Sequence, residues 1–179
     1  MAEVTRLFAE LLQNAQQQAA DRGEVWRSYA DPAQHSPCQY GEIEDELVAW
    51  RSVENTDGLD FSGLEHGLEL TLHADIKSFF TAFYGAGLPL QHARGPVELL
   101  MVWHQADFDR LQQNIIAHIL MKRKLKQRET VFFAVTDQDD MMLSVLNSTG
   151  EVYLERAGHE VSEKLADSLE AFLQQLSIS

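Results

Sequence analysis

The feature that most constrains the fold is a long helical pattern followed by three strand patterns that lie close together in the sequence. Residues 107–124 carry apolar residues at helical spacing, with acidic residues near the start and basic residues at the end, as the helix dipole favours. Residues 131–136, 141–147 and 151–155 are short apolar runs typical of strands, and an Asn-Ser-Thr-Gly turn joins the last two. The second half of the chain therefore predicts a meander of strands preceded by a long helix.

Four further segments have the apolar spacing of amphipathic helices. They are residues 4–20, residues 64–70, residues 76–83 and residues 162–176, the last with Ser162 as its N-cap. Helices and strands do not alternate regularly along the chain, which argues against repeated parallel units. We therefore predict an α+β fold, a single domain over all 179 residues, in which helices pack against a central, mostly antiparallel sheet.

Three other segments are predicted to complete the sheet and its loops. The nearly unbroken apolar run 97–103 is typical of a strand covered on both faces, and we place it at the centre of the sheet. Pro89 and Pro96 are predicted to bracket a loop. Residues 42–53 predict a short strand that ends near Trp50, after a proline-rich loop.

The composition excludes several classes of function. With 28 acidic and 14 basic side chains the formal charge is −14, which repels phosphate backbones at long range, so we expect no nucleic-acid partner. The first residues lack a basic segment followed by an apolar one, and no apolar stretch approaches the ~20 residues that a transmembrane helix needs. Cys38, the single cysteine, cannot form an internal disulfide. These features predict a protein of the cytosol.

His66, Glu69 and His73 are the strongest candidates for a metal site. Their i, i+3, i+7 spacing would place three zinc ligands on one helical face. Asp75 predicts, however, that a new helix starts just before Ile76, which would separate His73 from the other two. We therefore predict no metal site, and a metal-dependent hydrolase stays a rival hypothesis that metal analysis of the purified protein would test.

No residue pattern indicates catalysis or a bound cofactor. Cys38 with His35 could form a thiol and a base, but the acidic neighbourhood is expected to raise the pKa of that thiol, and a buried structural cysteine is favoured. His118 lies beside the apolar stripe of the long helix and is typical of a histidine at the edge of the core, satisfied by a neighbour. No phosphate-binding loop, dinucleotide-binding motif or nucleophile elbow is present, so we predict neither a cofactor nor an enzyme.

The segment 122–128, Lys-Arg-Lys-Leu-Lys-Gln-Arg, holds five of the fourteen basic residues. Cations at the end of a helix complement its dipole, which accounts for the segment without a ligand. A second hypothesis is contact with anionic lipid headgroups, if the protein is held close to a membrane.

The acidic residues are concentrated in one part of the chain. Residues 41–75 contain ten acidic residues against one basic residue, Arg51, for a local charge of −9. One interpretation is a solvated face that keeps the protein soluble. The other is a concave acidic surface that attracts a Lys/Arg-rich partner. The candidate partner-binding residues are Glu42, Glu44, Asp45, Glu46, Glu54, Asp57, Asp60, Glu65 and Glu69.

Four motifs, taken together and in this order, resemble the SecY-interacting Syd family. They are Leu-Leu-Met-Val-Trp at 99–103, Asp-Phe-Asp-Arg-Leu-Gln-Gln-Asn-Ile-Ile-Ala-His-Ile-Leu at 107–120, Lys-Arg-Lys-Leu-Lys at 122–126 and Asn-Ser-Thr-Gly-Glu-Val at 147–152. The resemblance covers most of the chain from about Ser36 onward. His104 stands where a hydroxyl cap of the long helix is expected.

The resemblance implies a compact, non-enzymatic α+β protein that lies peripherally on the cytoplasmic side of the bacterial inner membrane, and we expect a monomer. It implies binding of the basic cytoplasmic loops of the export channel SecY by an acidic concave surface, with a role in regulating or monitoring the translocase. Residues 54–65 follow no motif of the family, so Asp57 and Asp60 are candidates by charge alone. A wider resemblance to the Smi1/Knr4-like group suggests the alternative of an immunity protein that neutralises a basic toxin.

Overall fold

Helices and strands follow one another irregularly along the chain, and the computed structural model describes residues 2–178. The helices are α1 (Glu3–Asp21), α2 (Ser62–Leu68), α3 (Ala74–Ala82), α4 (Gln105–Lys124) and α5 (Leu169–Leu173). The strands are β1 (Arg27–Tyr29), β2 (Gln39–Glu44), β3 (Leu47–Trp50), β4 (Val53–Glu54), β5 (Phe83–Tyr84), β6 (Leu88–His92), β7 (Gly95–Leu99), β8 (Thr130–Thr136), β9 (Met141–Leu146), β10 (Val152–Arg156) and β11 (Glu163–Ala166). Helices α1 to α4 confirm the first four predicted helices to within a few residues.

The main sheet contains six antiparallel strands in the order β11-β10-β9-β8-β7-β6. The predicted meander is confirmed as β8, β9 and β10, which are its middle strands. The sheet curls into a half-barrel. The curl brings the two edges of the sheet close together, so that Arg94 in the β6–β7 turn forms an ion pair with Glu163 on β11. This architecture confirms the predicted α+β class.

Phenylalanine rings join the helices to one face of the main sheet. Phe8 of α1 stacks on Phe79 of α3 at a centroid distance of 4.7 Å. The ring of Phe133 on β8 lies 5.8 Å from Phe79 and 5.6 Å from Phe172 of α5. Helix α4 packs on the other face, where His118 lies 5.5 Å from the ring of Phe132. The main core therefore lies inside the curled sheet, and α4 closes its outer face.

Two small sheets lie beside the main one: a three-stranded sheet in the order β1-β3-β2 and the pair β4-β5. Strand β3 ends at Trp50, as predicted, but the single strand predicted within residues 42–53 is wrong, because this segment holds the end of β2, a turn, β3 and the start of β4. No helix among residues 2–178 is both long and apolar enough to cross a membrane.

The predicted helix over residues 162–176 is wrong. Residues 163–166 form β11, which pairs with the edge of β10, and the helix is the shorter α5. Its N-cap is Ser168, whose Oγ accepts the Ala171 N–H at 3.0 Å, and not Ser162. The apolar spacing misled the prediction because backbone hydrogen bonds offered by β10 outweigh a local helical pattern.

The predicted loop between Pro89 and Pro96 is also wrong, because both prolines lie in the β6–β7 hairpin. Strand β6 is an edge strand, where a missing N–H is tolerated. Gln91 exchanges backbone hydrogen bonds of 2.8 and 2.9 Å with Ser177, outside the sheet. Pro89, two residues earlier, directs its nitrogen to that same side, away from β7.

The apolar run 97–103 is not a central strand covered on both faces. Strand β7 ends at Leu99 and lies next to the edge strand β6, with Glu98 exposed and Val97 and Leu99 buried. The run continues as a buried segment that leaves the sheet, and Val102 forms a bridge to Tyr84. The prediction failed because a buried loop and a buried strand have the same apolar composition.

Candidate functional site

Four of the predicted site residues lie together on the hairpin formed by β2 and β3. They are Glu42, Glu44, Asp45 and Glu46, which we call the acidic hairpin. All four side chains are exposed, and none of them takes part in an ion pair within residues 2–178. Their charges are therefore available to a partner.

The acidic hairpin is exposed because β2 is the outer strand of a three-stranded sheet. Residues 40–46 are all exposed, including Ile43, whose relative exposure is 55 %. Asp45 and Glu46 form the turn with φ of +51° and +68°, the sign that a tight two-residue hairpin turn requires. Gly41, with φ of +75°, lies where the pairing register with β3 becomes irregular. The turn and the adjoining part of β2 thus have solvent on both faces, whereas β3 is buried from Val48 to Trp50.

A polar cleft lies beside the turn of the acidic hairpin. The Ala30 N–H donates to the Glu46 carbonyl at 2.9 Å, which places the turn next to Asp31. Asp31, His104 and Asp107 line a cleft of about 340 Å³ together with residues of β1. Arg110, which forms an ion pair with Asp107 at 3.4 Å, also lines the cleft, so it is a polar pocket of mixed charge beside the hairpin. Asp31 and Asp107 were not among the predicted site residues.

His104 is the N-cap of α4, so the helix has a cap without the expected hydroxyl. Its Nδ1 accepts the Asp107 N–H at 3.1 Å, which leaves the proton of the neutral ring on Nε2. Nε2 then donates to Asp31 Oδ2 at 2.8 Å. The Ala33 N–H and, secondly, His104 lower the pKa of Asp31. The ring is buried and fully used in hydrogen bonds, so it positions α4 against the β1–β2 loop.

Three other predicted site residues have partners within the molecule. Asp57 accepts the Tyr84 hydroxyl at 2.8 Å. Asp60 accepts the hydroxyl and the N–H of Ser62, and these hydrogen bonds lower the pKa of Asp60. Glu65 accepts the Leu72 N–H at 2.8 Å and the Lys77 ammonium at 3.1 Å. These internal roles could not be read from the acidic composition of the segment.

The remaining two predicted acids lie apart from the acidic hairpin. Glu54 is exposed on β4, in the two-stranded sheet. Glu69 is exposed at the end of α2, with φ of +52°. The structure therefore does not gather all nine acids on one element.

The predicted helix break between His66 and His73 is confirmed. Helix α2 ends at Leu68, and His73 is the N-cap of α3, where its Nδ1 accepts the Asp75 N–H at 3.1 Å. Across residues 2–178, no three His, Cys, Asp or Glu side chains are grouped so that they could hold a metal ion.

Cys38 is buried, as predicted, and burial raises the pKa of its thiol to about 11. The cause differs from the expected one, since loss of solvation and not the neighbouring acids dominates. The Cys38 N–H donates to Ser36 Oγ, and the Ser36 hydroxyl donates to the Trp103 carbonyl at 2.6 Å. The cysteine therefore lies in a segment fixed against Trp103, just ahead of α4.

A buried charged network, not anticipated from the sequence, holds the end of α4. Lys122 and Glu155 are fully buried and form an ion pair of 2.5 Å. The Thr130 hydroxyl donates to Glu155 Oε1, so His118 Nε2–H must donate to Thr130 Oγ1, each at 2.8 Å. The ring of His118 thus has a neighbouring hydrogen-bond partner, as predicted. Lys122 is buried and does not belong to an exposed basic cluster.

The curled antiparallel sheet, its covering helices and the acidic hairpin define a small acidic α+β protein. A family model described as Syd protein (SUKH-2) matches residues 2–177. The relatives named Protein Syd include those of Colwellia psychrerythraea, 46 % identical over 79 % of this chain and 76 % of the relative, and Shewanella piezotolerans, 44 % identical over 87 % and 73 %. Protein Syd of Pseudoalteromonas atlantica is 37 % identical over 96 % of this chain and 89 % of its own length. The chain belongs to the Syd family.

Proposed function

We propose that this protein binds the basic cytoplasmic loops of SecY through the acidic hairpin and thereby regulates or monitors the translocase. It would then lie peripherally on the cytoplasmic side of the inner membrane, with no catalytic role. Membership of the Syd family supports the partner. The observation that carries the proposal is that four adjacent carboxylates are exposed and none has a cationic partner within residues 2–178.

The hairpin is proposed as the centre of the site because the other acids are less available. Asp57, Asp60 and Glu65 already accept hydrogen bonds from within the molecule. Glu54 and Glu69 are exposed and would contribute to the field around the hairpin. Carboxylates concentrated on one projecting element steer a basic partner at long range and raise its association rate.

Apolar contacts on the same small sheet would add short-range binding. Tyr29, Tyr40 and Ile43 lie on β1 and β2 and have relative exposures of 71 %, 41 % and 55 %. Protein interfaces are enriched in such aromatic side chains, which bury a large area on contact. The proposed site therefore combines steering by charge with a smaller apolar contact.

The test compares the rates of association with SecY reconstituted in nanodiscs. The site variant reverses three hairpin carboxylates: Glu42→Lys, Glu44→Lys and Glu46→Lys. The control reverses three exposed acids outside the hairpin that form no ion pair within residues 2–178: Asp137→Lys, Asp139→Lys and Glu170→Lys. Asp45 is left unchanged in the site variant because an aspartate adopts a positive φ more readily than a lysine, whereas Glu46→Lys exchanges one long side chain for another at that φ.

We expect the site variant to associate about tenfold more slowly at low salt, with a much smaller change in the control. The difference should shrink near 1 M salt, where the Debye length falls to about 3 Å. Equal slowing of both variants would show that net charge, and not the hairpin, is responsible. Absence of SecY binding by the unmodified protein, together with a toxin gene beside its own, would favour the immunity alternative.

A further inference from the structure

The basic segment 122–128 is divided by the structure into paired and unpaired residues. Lys122 is buried with Glu155. Arg123 pairs with Glu129 and donates to the Leu68 carbonyl at 2.9 Å. Arg128 forms a second ion pair, with the carboxylate of residue 160 at 3.0 Å. Two bases are left: Lys124 and Lys126 are exposed and form no ion pair within residues 2–178.

The two unpaired lysines are flanked by exposed leucines at the end of α4. Leu120 has a relative exposure of 50 % and Leu125 one of 47 %. Leu120 and Lys124 are one helical turn apart and therefore adjacent, whereas Lys122 points to the opposite side, into the molecule. We call Leu120, Lys124, Leu125 and Lys126 the basic tip.

The backbone at the basic tip has an unusual conformation for a lysine. The Gln127 N–H donates to the Lys122 carbonyl at 2.9 Å and the Lys126 N–H to the Arg123 carbonyl at 3.1 Å, the two bonds of a Schellman motif. Lys126 holds the left-handed position with φ of +56°, where glycine is usual. The chain therefore turns sharply at Lys126, and the side chain at this position is exposed.

The basic tip is held rigidly. Besides Glu155, the Lys122 ammonium donates to Gln127 Oε1 at 2.9 Å and to the His159 carbonyl at 2.8 Å. These contacts tie the last turn of α4 and the residues after it to the β10–β11 loop. The surface is therefore preformed, and binding a ligand requires little loss of conformational entropy in the protein.

We propose that the basic tip contacts an anionic lipid surface. The chain has a formal charge of −14, so most of its surface is repelled by anionic headgroups, and the tip offers them positive charge. Lysines beside exposed leucines suit the membrane interface, where apolar side chains enter the acyl boundary and ammonium groups stay at the headgroups. An acidic protein segment is the rival ligand, and the vesicle test below separates the two. The contact does not depend on SecY.

The test tethers the protein by a flexible N-terminal hexahistidine linker to vesicles that carry a trace of nickel-chelating lipid. A polarity-sensitive fluorophore is attached to an Ala117→Cys variant, one turn before the tip and exposed. Cys38 stays unlabelled near pH 7 because it is buried and its thiol has a raised pKa of about 11. The vesicles are either pure phosphatidylcholine or one-third phosphatidylglycerol. We expect the emission to shift to the blue only on the second kind.

Two further variants separate the tip from net charge. Lys124→Glu/Lys126→Glu should lower the contact equilibrium constant at least about tenfold, since each lysine near an anionic surface contributes roughly fivefold. Arg22→Glu/Arg27→Glu makes the same change in net charge at exposed residues elsewhere and should retain most of the contact. Equal loss in both variants would overturn the proposal. No shift on phosphatidylglycerol would also overturn it and point to an acidic protein segment as the ligand. Neither outcome bears on SecY binding through the hairpin.

Discussion

The acidic hairpin and the basic segment 122–128 look alike in the sequence, because each is a short run of like charges. In the structure they are opposites. All four hairpin carboxylates are exposed, whereas the basic segment has one lysine buried, two arginines paired and two lysines exposed. The turn of the hairpin and the adjoining part of β2 have solvent on both faces, while the end of α4 packs against β8 and β10. The comparison shows that a run of charges predicts where charge lies but not how much of it a partner can reach.

The largest effect is expected when the buried ion pair of the basic segment is removed. Lys122→Met removes the cation and leaves Glu155 buried and unpaired, which should lower the free energy of unfolding by about 3–5 kcal/mol. Lys124→Met, two residues away and exposed, should change it by less than about 0.5 kcal/mol. Urea unfolding followed by circular dichroism measures both.

A double variant separates charge from packing in that prediction. Lys122→Met with Glu155→Leu removes both charges, so much of the lost stability should return. If the double variant is as unstable as Lys122→Met alone, the loss came from packing and not from the unpaired carboxylate.

His118 gives the buried network a dependence on pH. Burial lowers the pKa of His118, and Lys122 acts in the same direction while Glu155 opposes it. The unfolded chain, with a histidine pKa near 6.5, then binds the proton more readily than the folded protein. Stability should therefore be retained above about pH 6.5 and fall as the pH drops toward the folded pKa, by at most about 1.4 kcal/mol per pH unit.

Unfolding in urea at steps from about pH 8 to about pH 5 measures this dependence. His118→Gln keeps a donor for Thr130 but cannot titrate, so its stability should fall less steeply than that of the unmodified protein. Parallel curves for the two proteins would assign the acid sensitivity to other groups.

The smallest effect on stability is expected for the exposed carboxylates of the acidic hairpin. Neutralising Glu42, Glu44 and Glu46 together to Gln should change the free energy of unfolding by less than about 0.5 kcal/mol, because these side chains are exposed and form no ion pair within residues 2–178. Glu65→Gln is the comparison within the same acidic segment, since it loses the Lys77 ion pair and weakens the acceptor for Leu72, for about 1 kcal/mol. A hairpin triple variant as unstable as Glu65→Gln would show that the hairpin carboxylates have a structural role.

The helices were predictable where one face of a long segment is apolar, as in α1 and α4. The boundaries of the helices were harder to predict. Helix α4, for example, is capped by a ring nitrogen of His104 and not by the side-chain hydroxyl that usually marks a helix start. The acidic hairpin was found as a cluster of charge. Asp31 and Asp107 were missed because they are distant in sequence from the cluster. The Ala30–Glu46 hydrogen bond brings Asp31 beside the turn, and the His104 ring links Asp31 to Asp107 in the first turn of α4.

The sequence by itself determined the α+β class, the long helix, the meander and the excess of acid over base, because periodicity and composition are properties of consecutive residues. The tertiary structure decided that residues 163–166 pair with β10 instead of extending a helix, that Pro89 lies in an edge strand, and that Lys122 is buried against Glu155. These outcomes depend on hydrogen-bond and charge partners that are distant in the sequence. Such partners become neighbours only when the sheet has curled and α4 has packed on its outer face.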